Sequence, residues 1–204
     1  MVQALYIDPR GPYPALLGAA NCWDAERDAR LYNGPEPIVS HPPCGPWGRL
    51  KHLYKGNEKD LGPLAVEQVR RWGGVLEHPA GSELWDHCLL PRPGWLPGIW
   101  GGMTIQVDQV EWGHACVKPT WLYVVGTNWL PRNPPFPGRK PTHGIWYGDF
   151  ERSGHAGPPL LGASKEIRRR TPVPFAEWLI SIAARCRGTP ALQGPSNETA
   201  QRAG

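Results

Sequence analysis

Several features that would assign the chain to a special class of protein are missing from its sequence. No run of about 18 apolar residues occurs, so no membrane-spanning segment is expected. The first residues lead directly into a strand-like stretch, so no basic and apolar signal segment is expected. Glycine lacks the strict three-residue period of collagen. Together these absences predict a soluble protein.

Cysteine is sparse, and no two cysteines form a C-x-x-C pair. The chain has 5 cysteines, an odd number, at wide spacing. This pattern argues against the disulfide framework of a small secreted protein. It favours a reducing, cytoplasmic setting, in which a cysteine in an unusual local sequence can be a nucleophile.

Phenylalanine and methionine are scarce, whereas glycine, proline and tryptophan are abundant. Glycine and proline contribute 25 residues each to a chain of 204, beside 11 tryptophans. Their combined share is about twice the average. Because 40% of the residues are apolar, disorder is not expected. The composition predicts one domain with a real core and many turns.

Charge is nearly balanced overall but uneven along the chain. The formal net charge is +4. Residues 165–187 hold six basic and two acidic side chains, whereas residues 1–40 are slightly acidic. A basic C-terminal part suits a polyanion such as nucleic acid. A solvated basic face is the alternative.

The apolar pattern predicts an α/β fold with a small, mostly parallel sheet, flanking helices and an antiparallel edge. Predicted strands cover residues 4–7, 37–40, 75–77, 103–112 and 120–125, and the last two form the antiparallel edge. Predicted helices cover residues 24–32 (weakly), 60–72 and 172–187. One domain spans residues 1–187, with a glycine- and proline-rich loop at 126–164 and a disordered tail at 188–204.

Cys44 is the first candidate for chemistry. It lies in a turn, residues 41–48, stiffened by prolines and placed directly after a predicted strand. Near His41 or Arg49, its thiol is expected to have a lowered pKa and to act as a nucleophile. A buried structural cysteine is the alternative.

Two further sets of polar residues lie next to later predicted strands. Glu77 ends a hydrophobic strand, where a carboxylate needs a partner such as the ring nitrogen and amino group of a heteroaromatic base. Backbone amides are the alternative partner. A polar cluster, Gln109, Glu111, His114 and Lys118, precedes the strand at 120–125; it also fits an ordinary hairpin.

These motifs occur in an order that resembles the DNA cytosine-5 methyltransferase family and a group of small phage-encoded relatives. Pro-Pro-Cys followed by Trp comes first, then Glu-x-Pro at a strand end. Trp-Gly-His and Lys-Pro-Thr-Trp-Leu come next, and Thr-Pro-x-Pro-Phe-Ala precedes the last helix. The resemblance covers residues 37–125 and 165–187.

The resemblance implies a Rossmann-like methyltransferase-type fold and a covalent mechanism on DNA. Cys44 would attack C6 of a cytosine turned out of the duplex. Glu77 would hold the N3 and amino edge, and S-adenosylmethionine would methylate C5. It also implies a cytoplasmic setting in a bacterium or a phage-infected cell.

The same resemblance assigns further residues, in three sets. The substrate set is Pro43, Trp47, Arg49, Gln109, His114 and Lys118; the phosphate set is Arg168, Arg169 and Arg170; the cofactor set is Asp8, Pro42 and Thr171. No metal is expected. The sequence departs from the family at residues 8–14, where a proline-rich turn replaces the glycine-rich cofactor turn.

Two other functions fit parts of the sequence. A zinc protein would use histidine and cysteine ligands, from His41, Cys44, His78, His114 and Cys116. A non-catalytic, methyltransferase-like module would bind nucleic acid through the arginines at 168–170 and stacking aromatics. Those aromatics are Trp121, Trp129, Trp146 and Tyr147.

Overall fold

The structure is a computed structural model that describes residues 1–130, 132–144 and 161–188. The strands are β1 Gln3–Leu5, β2 Cys22–Trp23, β3 Ile38–Ser40, β4 Gly74–Pro79, β5 Met103–Asp108, β6 Pro119–Val125, β7 His143–Gly144 and β8 Leu161–Gly162. The α-helices are α1 Tyr13–Leu17, α2 Leu61–Trp72, α3 Leu84–His87, α4 Lys165–Arg169 and α5 Val173–Ala183.

Six strands form one sheet in the order β2-β1-β3-β4-β6-β5. The first four are parallel, and β6 runs antiparallel to both of its neighbours. The predicted α/β class, with a mostly parallel sheet and an antiparallel edge, is confirmed. The carboxyl ends of β1, β3 and β4 therefore meet at one edge of the sheet.

Helices cover both faces of the sheet, because successive strand residues point to opposite sides. Ala4, Val39 and Val75 face a core shared with α1 and α5. Leu5, Ile38 and Leu76 face a second core shared with α2 and α3. This alternation places Glu77, the next residue after Leu76, on the α1 and α5 side.

The weakly predicted helix at 24–32 is wrong. Only Ala29–Leu31 forms a short 3-10 turn. The side chain of Asp24 accepts hydrogen bonds from two backbone N–H groups, and Asp28 accepts one from Arg30 N. Such local bonds compete with helix formation. The two-residue strand β2, just before this segment, was not predicted.

Other boundaries differ by a few residues. The predicted strand at 103–112 ends at Asp108 and continues as the 3-10 turn Gln109–Trp112. The last helix ends at Ala183.

Within the expected loop at 126–164, β7 pairs with β8. Residues 131 and 145–160 of that loop, which include Trp146 and Tyr147, lie outside the described residues. The tail from residue 189 does too. No described helix has the length and apolarity needed to cross a membrane.

Candidate functional site

Cys44 is exposed in a tight turn that follows β3. The backbone N–H groups of Trp47 and Gly48 both donate to the Cys44 carbonyl, at 3.1 and 2.9 Å. Pro42 and Trp47 are buried on either side of it. The turn thus anchors its flanks in the core and presents the thiol to solvent.

Glu77 lies on the neighbouring strand and is nearly buried, with 11% of its side chain exposed. His41 Nδ1 donates to Glu77 Oε2 at 3.0 Å. Gln109 Nε2 donates to Glu77 Oε1 at 2.8 Å. The expected requirement for a partner is met by side chains, and not by backbone amides.

The hydrogen bonds extend from Glu77 in both directions. Tyr13 Oη is 2.6 Å from His41 Nε2, and Gln109 Nε2 also donates to Thr120 Oγ1 at 3.0 Å. Tyr13 and Thr120 were not among the candidates. The partner of Tyr13 is His41, 28 residues away, and the partner of Thr120 is Gln109, in the 3-10 turn after β5. No local motif therefore indicated either residue. A connected network therefore crosses the site from α1 to β6.

The charges around Glu77 keep it ionised. Burial alone would raise its pKa, but the Lys118 ammonium and the hydrogen bond and charge of His41 lower the pKa to about 2. Gln109 Oε1 is buried beside this carboxylate and has no hydrogen-bond partner in the described chain. The site thus holds one fixed negative charge and one unused acceptor.

The expected lowering of the Cys44 pKa is wrong. Desolvation and the negative charge of Glu77 raise the pKa of the thiol, against the smaller influence of Lys118 and Arg169. The sequence suggested His41 as an activating cation, but the His41 ring is bonded to Glu77 and Tyr13. In the free protein, Cys44 is a protonated thiol at neutral pH.

Two basic residues predicted for the site act on it electrostatically. The charge of Lys118 affects Glu77, Cys44 and His114, and Arg169 affects Cys44 and Asp8. Arg169 ends α4, and its charge reaches both the β1 exit and the cysteine turn. One of the three arginines assigned to DNA phosphates therefore acts on the thiol through its charge.

The other candidates are placed as follows. His114 is buried, with Nδ1 3.0 Å from Cys116 N, and burial and Lys118 lower its pKa. Trp47 is buried against His87, so its side chain packs in the core. Pro43 is half-buried, and Arg49 is exposed. Arg168 is half-buried and Arg170 exposed.

A zinc site has no geometric support in the described part of the chain. No group of three or more histidine, cysteine, aspartate or glutamate side chains there is arranged to hold a metal ion. Both ring nitrogens of His41 are already hydrogen-bonded within the network.

The residues at the exit of β1 do not fit S-adenosylmethionine in this arrangement. The strand order reverses between β1 and β3, where α/β sheets commonly bind nucleotides. There, Tyr13 is buried and bonded to His41. Asp8 is paired with Arg10, at 2.8 Å, and Asp24 accepts from two backbone N–H groups. Pro42 and Thr171, the other expected cofactor residues, are buried and half-buried.

No family model matches the chain, and neither a curated protein nor a solved structure is significantly similar to it. Function is therefore inferred from the fold, the site and the order of the motifs.

Proposed function

We propose that this chain is a DNA-modifying protein of the cytosine-5 methyltransferase type, with Cys44 as the nucleophile and Glu77 as the base-binding carboxylate. One observation carries the proposal. An exposed cysteine in the turn after β3 and an ionised, nearly buried carboxylate on the adjacent parallel strand β4 interact electrostatically. A Rossmann-like, methyltransferase-type fold is part of the proposal, and the antiparallel β6, which lies between β4 and the edge strand β5, agrees with it.

The polar groups around Glu77 match the edge of a cytosine protonated at N3. A carboxylate has about four lone-pair positions, and His41 and Gln109 use one on each oxygen. The remaining positions can accept the N3 proton and one amino proton. Gln109 Oε1 is free to accept the second amino proton. Because its pKa is low, Glu77 is ionised, and its negative charge stabilises the positive charge that the ring acquires.

The covalent step balances with water as the proton carrier. The sulfur of Cys44 forms a bond to C6 while the C5–C6 double bond breaks and its electrons move through C4 to N3; the thiol releases its proton to water and N3 takes one up from water, because the ionised Glu77 carboxylate accepts the N3–H and has no proton of its own to give. Pairing of Glu77 with the protonated base also removes the negative charge that raises the thiol pKa. Pairing of Glu77 with the base therefore favours the thiolate, while burial, the larger cause of the raised pKa, remains. The target base must leave the stack to reach Cys44.

S-adenosylmethionine would supply an electrophilic methyl group to C5. The described residues do not fit it, so the donor enters the proposal through the resemblance alone and no step is assigned to it. Calorimetric titration of the purified protein with S-adenosylmethionine tests this part separately. Saturable binding supports methyl transfer, and its absence rules methyl transfer out.

Covalent trapping tests the nucleophile. DNA containing 5-azacytosine, in which N5 can take a proton in place of a methyl group after the thiol adds to C6, is expected to form a stable adduct with the wild-type protein. Cys44→Ala should abolish the adduct and retain DNA binding, whereas the control Cys88→Ala should form it normally. An adduct that persists in Cys44→Ala would contradict the assignment.

A non-catalytic, nucleic-acid-binding module is the second candidate. The raised thiol pKa and the poor fit to the methyl donor favour it. In that case, the wild-type protein binds DNA but forms no adduct and binds no S-adenosylmethionine.

A further inference from the structure

Three arginines and a tryptophan lie at the end of the molecule opposite the candidate site, and we call them the arginine surface. They are Arg71 in the last turn of α2, Arg185 and Arg187 just after α5, and Trp129 shortly after β6. None of the three arginines forms an ion pair within the part of the chain that the structure describes. Their positive charges are therefore not neutralised by carboxylates of these residues.

The ends of α2, α5 and β6 meet at this surface. The backbone N–H of Arg187 donates to the carbonyl of Gly126, the residue after β6, at 3.1 Å. The backbone of Arg187 also packs on Gly73, the residue after α2, where a Cβ would lie 2.7 Å from the Arg187 carbonyl carbon. The Arg185 guanidinium lies over the Trp129 ring, 3.8 Å from its centroid. These contacts place the three element ends side by side.

The arginine surface and the candidate site lie at opposite ends of the strands. Gly74 begins β4 and pairs with Val125, the last residue of β6. Glu77 lies further along β4, about 10 Å from Gly74 at the rise of an extended strand. A base held by Glu77 therefore lies at the far end of the sheet from the arginine surface.

Capping of α5 explains the position of two of these arginines but leaves their charge available. Nη1 of Arg185 donates to the Ser181 carbonyl at 2.7 Å, and Nη1 of Arg187 donates to the Cys186 carbonyl at 2.8 Å. Cations are favoured at the carboxyl end of a helix. A guanidinium has five N–H donors, and neutral carbonyls do not cancel its charge. Both side chains are exposed, so their remaining donors can reach an anion.

An aromatic ring beside these cations indicates which kind of anion fits. Trp129 is 39% exposed, and Arg185 covers part of its ring. Surfaces that bind single strands combine cations, which contact phosphates, with aromatic rings, on which unpaired bases stack. In a duplex the faces of the bases are covered by their neighbours, so an exposed indole offers a duplex little. The surface therefore suits a single strand better than a duplex.

We propose that the arginine surface binds single-stranded nucleic acid, independently of Cys44 and Glu77. Phosphates pair with the three arginines, and a base stacks on the exposed part of Trp129. No step at the candidate site is needed, so the proposal does not depend on the proposed function. It gives the chain a second nucleic-acid contact, at the opposite end of the sheet.

Fluorescence anisotropy with a labelled oligothymidine of about 12 nucleotides tests the proposal. This strand contains no cytosine, so the proposed base site is not engaged. Arg185→Ala/Arg187→Ala should bind it at least about tenfold more weakly at low salt, and the slope of log affinity against log salt should fall by about 1.4, as expected for two lost phosphate contacts. The matched control Arg30→Ala/Arg92→Ala, which removes two arginines that each pair with an aspartate, should bind as the wild-type protein does. The same titrations with oligouridine compare DNA with RNA, and dependence on the arginines with either strand supports the proposal.

A tryptophan variant separates a single strand from other polyanions. Trp129→Ala should weaken oligothymidine binding by about tenfold through lost stacking, and it should leave the salt slope and the binding of a duplex unchanged. Phe136→Ala is the matched control, because Phe136 is 42% exposed and also lies against an arginine, Arg139. Phe136 N donates to the Glu111 carbonyl, which places it at the candidate-site end of the sheet. An equal loss in Phe136→Ala, or no loss in Trp129→Ala, would overturn the proposal.

Cross-linking of the wild-type protein gives a measurement that needs no variant. Ultraviolet irradiation with oligothymidine, followed by mass spectrometry, should place cross-links in the peptide that contains Trp129. Unchanged circular dichroism and melting temperature establish that each variant is folded. Cys44→Ala should bind oligothymidine as the wild-type protein does, so failure of the covalent chemistry and failure of this surface are distinguishable. Cross-links confined to the candidate site, or an arginine double variant that binds no more weakly than its control, would contradict the assignment of this surface.

Discussion

At the residue scale, Glu77 links the base-binding and nucleophilic halves of the site. Its carboxylate accepts from His41 and Gln109, and its charge raises the pKa of the exposed Cys44 thiol. Burial and that charge together keep the thiol protonated at neutral pH, against the smaller influence of Lys118 and Arg169.

Removing the Glu77 charge should lower the pKa of Cys44. Glu77→Gln keeps the shape of the side chain, and we expect faster alkylation of Cys44 by iodoacetamide between pH 7 and 9, measured peptide by peptide with mass spectrometry. Cys88 is the internal control, because the charges that act on it are those of Arg70 and Glu67. A Cys44 rate that is unchanged or slower in Glu77→Gln would contradict the electrostatic coupling.

His78 should make stability depend on pH. Burial lowers its pKa to about 4 from 6.5, so the unfolded chain binds a proton more readily than the folded chain between these values. Stability is complete above pH 6.5 and falls by roughly 3 kcal/mol by pH 4, at about 1.36 kcal/mol per pKa unit. Urea denaturation at several pH values measures this loss.

The variant His78→Asn is the control for that window. It cannot be protonated at this position, so it should lose less stability than the wild-type protein between pH 6.5 and 4; the loss that it keeps there comes from His114, whose pKa is lowered by burial and by Lys118. Below about pH 4.5, Glu77 adds to the loss in both proteins, because its pKa is lowered to about 2 from 4.5. A wild-type curve that is flat between pH 6.5 and 4.5 would show that His78 does not titrate as described.

At the element scale, the start of β4 depends on a glycine. Gly74 has φ +130°, and a Cβ there would lie 1.9 Å from the carbonyl oxygen of Ile38 on β3. No side chain fits between these two paired strands. The close approach sets the register that brings the ends of β3 and β4, and hence Cys44 and Glu77, to the same edge.

Gly74→Ala should therefore lower the free energy of unfolding by at least about 3 kcal/mol, as a combination of backbone strain and steric overlap. Gly81→Ala is matched to it, because Gly81 also has a positive φ, +77°, but open space around it. Its cost should be only about 1 kcal/mol. Equal losses in chemical denaturation would mean that the contact with Ile38 is unimportant.

The elements that sequence predicted are those with a strong periodic or apolar pattern. Helix α2 and strands β3, β4 and β6 were predicted within a few residues, since each buries a patterned face. Strand β2 is two residues long and is held by pairing with β1, so its own sequence carries no comparable signal. Helix α1 begins at Tyr13, between Pro12 and Pro14. These prolines favoured the prediction of a turn at this place instead of a helix.

In the candidate site, the two central residues could be predicted from the sequence, but their hydrogen-bond partners could not. Cys44 and Glu77 were each expected at the end of a predicted strand, and their joint action was implied by the resemblance. The partners of Glu77 were not expected, because Tyr13 meets His41 across 28 residues and His41 meets Glu77 across 36. The predicted direction of the Cys44 pKa shift was wrong for a similar reason: burial of the thiol and the Glu77 carboxylate on the next strand outweigh the nearby cations, and neither is visible in the local sequence.

At the scale of the whole molecule, the proposed DNA contact should depend on salt. Arg170 is exposed next to Arg169, whose charge acts on the Cys44 thiol. If Arg170 neutralises one phosphate, Arg170→Ala should reduce the slope of log affinity against log salt by about 1. Arg30→Ala, which removes an arginine paired with Asp28, should leave the slope unchanged in fluorescence anisotropy titrations.

Deuterium exchange at C5 of cytosine tests the central claim, that Cys44 and Glu77 activate a cytosine base. Addition of the thiol to C6 lets C5 take a deuteron from D₂O; loss of the original C5 proton and cleavage of the C6–sulfur bond then restore the base and the thiol. This cycle needs no methyl donor. Mass spectrometry of DNA nucleosides should show C5 deuteration with the wild-type protein and with Cys88→Ala, little with Glu77→Gln and none with Cys44→Ala. Absence of exchange with the wild-type protein, or equal exchange with Cys44→Ala, would contradict the account.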